Sequence, residues 1–63
     1  MFSVDQTITS REFGGKYKFI EAIERREITS EITGNVIVQD CIIQCVRTTV
    51  KWYMNSADFV AVK

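Results

Sequence analysis

The sequence predicts an α+β fold: a small antiparallel sheet of three to four strands with one amphipathic helix, about residues 41–54, packed on it. An all-β small barrel is the alternative. Three observations lead there. Val, Ile and Thr supply 21 of the 63 residues, with no proline and no leucine, and stiff β-branched side chains favour strands. The pairs Gly14-Gly15 and Gly34-Asn35 punctuate apolar stretches as hairpin turns do. Between Asp40 and Asn55 the polar residues recur with a helical period.

The elements follow in order. Phe2, Val4 and Ile8 alternate with polar residues and read as a half-buried strand that ends before Gly14-Gly15. Two glycines admit positive φ at both central positions of a tight reversal. A two-residue turn there sets Ile8 opposite Glu21 and Ser10 opposite Phe19. It also sets Arg11 against Lys18, a like-charge pair that counts against the register. Residues 16–27 carry good helix formers but no convincing caps, and the preceding turn favours a strand. Residues 27–39 form a second hairpin about Gly34-Asn35, with Thr33 facing Val36 and Ile32 facing Ile37.

A strand continued beyond Asp40 would be apolar on both faces, with little chain available to cover it. Wound as a helix, Asp40, Gln44, Arg47, Thr48, Lys51 and Asn55 fall within roughly a 100° arc. Asp40 suits the N-cap, and Asn55 suits the left-handed position past the end. Burial of one apolar face, about 1.5–3 kcal/mol per large side chain, exceeds the propensity penalty of up to about 0.7 kcal/mol per residue. A short last strand, Phe59-Val60-Ala61-Val62, follows a turn at Asn55–Asp58.

A chain of this length forms one domain, 1–63, and buries only about 60% of the surface exposed when unfolded. Small domains usually need a disulfide, a metal or a partner. Histidine is absent, and Cys41 and Cys45 stand four apart without a second pair. That spacing excludes a structural zinc site. In a strand it separates their Cα atoms by roughly 13 Å, beyond disulfide reach. They read as small apolar residues of a reducing compartment. Self-association is the staple that remains. Eight basic and eight acidic residues cancel, which disfavours a broad electrostatic grip on nucleic acid. No signal peptide or membrane-length apolar run is visible, and Met1 suggests a complete small reading frame. The expectation is a cytoplasmic protein, bacterial or viral in its host.

Catalytic signatures are missing. There is no glycine-rich phosphate loop after a strand and no Gly-x-Ser-x-Gly elbow. The acid beside Cys41, Asp40, does not lower a thiol pKa. Glu21, Glu24, Glu27 and Glu31, interleaved with Arg25-Arg26, read as a solvated, self-paired face. The expectation is therefore no enzyme, no cofactor and no metal. Aromatic and basic residues do interleave: Tyr17 lies between Lys16 and Lys18, while Arg47, Lys51, Trp52, Tyr53 and Phe59 gather near the other end. Such rings stack bases while the cations hold phosphates, or the same rings serve as core or subunit interface.

The stretch Thr49–Ser56 followed by Phe59–Val62 locally resembles the first hairpin of cold-shock domains, over about fourteen residues. The resemblance implies single-stranded nucleic-acid binding. The chain departs from that family: its glycines are missing, and Val60 and Val62 stand where rings belong. No binding residue is carried over from it, and a helix over 41–54 excludes it.

By elimination, the chain is expected to be a homo-oligomeric binding or inhibitor protein, of the kind encoded by phages or bacteria as regulators. It would occupy a protein target or a small ligand at a subunit interface. The alternative is a single-stranded nucleic-acid binder that uses Trp52, Tyr53 and Phe59 with Lys51 and Arg47.

Overall fold

The structure is a computed structural model that describes residues 2–62; Met1, read above as an initiator, and Lys63 lie outside the described residues. Five strands form one antiparallel sheet: β1 (Thr7–Ser10), β2 (Gly14–Thr29), β3 (Val36–Cys45), β4 (Lys51–Met54) and β5 (Phe59–Ala61), in the order β4-β3-β2-β1-β5. A one-turn 3₁₀ helix, Ser56–Asp58, leads into β5. The fold is thus nearly all β, and the expected α+β architecture is wrong. The all-β alternative fits better, but the sheet does not close into a barrel, because β4 and β5 remain its two edges.

The expected helix over 41–54 is the end of β3, a turn and β4. The argument against a strand assumed that it ran unbroken to Tyr53. Instead the chain reverses between Cys45 and Val50, where the Cys45 amide donates to the Val50 carbonyl at 2.9 Å and the Thr49 amide to the Cys45 carbonyl at 2.8 Å. Val46 and Val50 fall in this turn and stay about half exposed, so they need no cover. What remains of β3 is one-sided: Cys41 and Ile43 are buried, while Ile42 points the other way, between its cross-strand partners Glu21 and Tyr53. No glycine, proline or asparagine marks the reversal. Thr49 takes φ 62°, a conformation rarely adopted by a β-branched residue. The Gln44 side-chain amide, donating to the Thr49 carbonyl at 2.9 Å, helps hold it.

Both glycine pairs act differently from the simple expectation. Around the first, Arg11–Phe13 make the turn and Ser10 pairs with Gly14, so Ile8 faces Tyr17 and Thr7 faces Lys18. The like-charge pair of Arg11 and Lys18 never forms. Gly14 and Gly15, at φ 70° and 82°, open β2, where only glycine adopts such angles without strain. The 16–27 segment lies within β2, as expected of a strand. The second hairpin forms with its register shifted by four residues: Ile28, not Ile32, faces Ile37, and Thr29 faces Val36. Residues 30–35 then make the loop, closed by Gly34 N–H to Ser30 C=O at 2.9 Å. Ile32 is left 95% exposed.

β2 bends strongly because it carries more residues than β3 over the same ladder, with register shifts between Phe19 and Glu21 and between Ala22 and Arg26. Such bulges increase local twist and curl a sheet. The curled half buries Ile8, Phe19, Cys41, Ile43 and Phe59, with Phe2, Tyr17 and Met54 packed around them. Beyond the second shift the hairpin of Arg26–Thr29 against Val36–Gln39 projects as an arm, and the molecule measures 36 × 23 × 20 Å. Glu24 to Thr29 are all exposed. Arg25 and Glu27 pair at 3.6 Å with both side chains largely exposed, an arrangement of little energetic consequence. Among the described residues, no helix is long and apolar enough to cross a membrane.

Candidate functional site

The curl brings the two edge strands near one another without joining them, and an open apolar groove of about 230 Å³ occupies the gap. Every strand contributes to it. Trp52 and Met54 come from β4, Phe59 from β5, Ser10 from β1, Tyr17 from β2 and Ile43 from β3, and Phe13 in the first turn stands at its margin. Tyr17 and Phe59 meet edge to face, with centroids 5.5 Å apart and planes at 78°, a favoured aromatic geometry. Phe59 is buried and forms floor, whereas Trp52 is 43% and Phe13 82% exposed. The Ser10 hydroxyl accepts from the Phe13 amide at 3.1 Å and so fixes the turn that presents the ring. A second, more polar depression continues past Phe13 to Arg11, Glu12 and Asp58.

The sequence-derived residues divide into two groups. Tyr17, Trp52 and Phe59 meet in the groove. Lys51 and Tyr53 do not, because neighbouring strand residues point to opposite faces. Lys51 shares the outer face with Gln44 and, one strand further, Lys18. Tyr53 pairs with Ile42 on that face, and the Arg26 guanidinium lies 4.2 Å from its ring centroid. Arg47 is exposed in the β3–β4 turn. Sequence reasoning missed Ser10, Phe13, Ile43 and Met54 as lining residues. Phe13 alone left a signal, a large ring beside two glycines.

Polar anchoring lies behind the groove. Asp40 accepts from the Ser56 amide at 2.8 Å and from the Ser56 hydroxyl at 2.7 Å, tying β3 to the 3₁₀ turn that sets Phe59 in place. Burial alone would raise the Asp40 pKa, but the Ser56 amide and hydroxyl and the Cys41 thiol outweigh it and hold the carboxyl below its ordinary range. The two cysteines are both free and differ chemically. Burial, with the Asp40 carboxylate adding to it, pushes the Cys41 thiol up to about 12. At Cys45 the Thr48 hydroxyl and amide, with Arg47 close by, hold the thiol below its usual value. Among the described residues, no three His, Cys, Asp or Glu side chains converge as a metal site would require.

Compared with protein-family models, curated proteins and solved structures, the chain shows no significant match to any of them.

Proposed function

We propose that this is a non-enzymatic, homo-oligomeric binding protein that seats an apolar side chain of a protein target in the groove between β4 and β5. The observation that carries the reading is the groove itself. Of its lining, Tyr17, Trp52, Met54 and Phe59 are held by the strands of the sheet, and Phe13 is presented by the turn between β1 and β2. Its size separates the two kinds of occupant. Small-molecule sites commonly enclose about 300–1,000 Å³ with convergent polar groups, whereas this groove is open, near 230 Å³ and almost wholly hydrocarbon. One aromatic or large aliphatic anchor fills such a space, as buried anchors at protein interfaces do.

The nucleic-acid alternative needs rings and cations on one surface. Here Trp52 and Phe59 are separated from Lys51 by the thickness of the sheet, and Arg26 already covers Tyr53.

Trp52 is the only tryptophan, so its fluorescence reports occupancy directly. Linear peptides selected from a display library against the intact protein are expected to share one large apolar anchor and to shift Trp52 emission. They should bind at least about tenfold more weakly to Phe13→Ala. Selected peptides that ignore Phe13→Ala would overturn the groove reading. So would tight binding of a single-stranded oligonucleotide that falls steeply with salt and depends on Lys51.

A further inference from the structure

We infer that two copies of this chain associate by pairing the free edges of their β3 arms, antiparallel across a two-fold axis near Ile37, to give one continuous sheet ordered β2-β3-β3-β2. The inference rests on the self-association in the reading above and names the surface responsible.

Three observations support it. First, β4 pairs with β3 only from Cys41 to Gln44, so among the described residues Val36–Val38 has no strand neighbour on the side away from β2, and only the Gln39 side chain reaches β4, donating to the Tyr53 carbonyl at 3.4 Å. The arm there is a two-stranded ribbon without a core beneath it. Such a ribbon is marginal in water, and three or more strands are needed for stability. A second copy makes four.

Second, this edge lacks the usual protection. Edge strands avoid pairing through charge, proline or bulges. Val36-Ile37-Val38-Gln39 has no charge or proline, and Val36 and Ile37 are 55% and 52% exposed. Residues opposite each other in the arm share a face, so Ile28 and Ile37 form an apolar pair on one face, while Val36 and Val38 lie opposite Thr29 and Glu27 on the other.

Third, charge selects between the arm's two free edges. The β2 edge carries Glu24, Arg25, Arg26 and Glu27 in succession, charges of the kind that protect an edge strand from pairing. Pairing through Val36–Gln39 opposes only aliphatic and amide side chains. Asp40, the nearest charge, is turned away and held by Ser56. Two identical neutral edges suit a closed two-fold contact, in which the same patch serves both subunits.

Light scattering across a concentration series tests this. The wild-type chain is expected to approach twice its 7.3 kDa mass. Ile37→Lys, which sets like charges near the axis, should weaken association at least about tenfold. Val4→Lys, at an exposed valine outside the sheet, should leave it unchanged. In the unmodified protein, amide exchange at Val36–Gln39 should slow as concentration rises, by more than at Arg26–Thr29, while Thr7–Ser10 outside the arm stays constant, which keeps the test decisive even if Ile37→Lys does not fold. A folded Ile37→Lys that associates like wild type, or concentration-independent exchange in an associated wild type, would overturn the β3 edge while leaving self-association standing. A wild-type chain monomeric at every concentration would overturn both.

Discussion

β2 and β3 each belong to two different environments. In the curled half, Phe19, Cys41 and Ile43 are buried under Phe2, Tyr17 and Met54. In the arm, the same two strands carry Ile28, Val36 and Ile37 at 44%, 55% and 52% exposure. The arm carries Ile28, Val36, Ile37 and Val38 but no aromatic ring, whereas the core packs Phe2, Tyr17, Phe19 and Phe59. Curvature separates the halves as well. The two register shifts in β2 roll one half upon itself and let the other run out straight. Strand-forming side chains therefore bury themselves only where the backbone bends around them, and where it does not they remain exposed as potential interface.

The contrast should be largest in unfolding experiments. Ile43→Ala is expected to lower stability by about 2–5 kcal/mol, read from urea denaturation. In the arm, Ile28→Ala should cost under about 1 kcal/mol and Ile32→Ala about 0.5 or less. A larger effect at Ile32 than at Ile28 would reverse the register given above for the hairpin.

Next in size is the join between the halves. Asp40→Ala removes both bonds to Ser56 and should cost about 1–2 kcal/mol, discounted for partial exposure. Its pH dependence has a definite sign. Because the folded carboxyl titrates below the ordinary value of 3.8, the stabilisation is complete above that value and is lost as pH falls through the lower folded one. The stability gap between wild type and Asp40→Asn should therefore narrow on acidification below about pH 4, as followed by thermal melting. A gap that widens in acid would show that Asp40 is not held ionised by Ser56.

A smaller effect than at Asp40 is expected at Arg26, which donates to the Gln39 side chain at 2.9 Å and covers Tyr53. Arg26→Ala should cost about 0.5–1 kcal/mol and move the Tyr53 ring resonances while leaving Trp52 fluorescence unchanged. A shift of both would mean that the arm and the groove are coupled.

Two of the expectations that failed did so for different physical reasons. The helix over 41–54 rested on a periodicity that Asp40, Gln44, Arg47 and Thr48 do possess. A polar residue at a strand edge and one in a turn satisfy that pattern as readily as one on a helix face. The hairpin register failed because Glu27-Ile28-Thr29 recurs as Glu31-Ile32-Thr33. The offset of four is even, so either copy sets an isoleucine against Ile37 with every face preserved. Local pattern cannot choose between them. The Arg26 contacts with Gln39 and Tyr53 exist only in the register observed.

By itself, the chain's alphabet determined that most of this protein would be extended, that it would turn near Asn55–Asp58, and that a few dozen residues would leave more hydrocarbon than one copy encloses. Tertiary structure alone decided where β3 stops, which Glu-Ile-Thr pairs with Val36–Val38, and that Tyr17, Trp52 and Phe59 meet while Lys51 and Tyr53 turn away. The physical reason is that side-chain chemistry reports whether a residue avoids water. Which neighbour it meets depends on bulges and hydrogen bonds between strands distant in sequence, and those form only once the sheet is assembled.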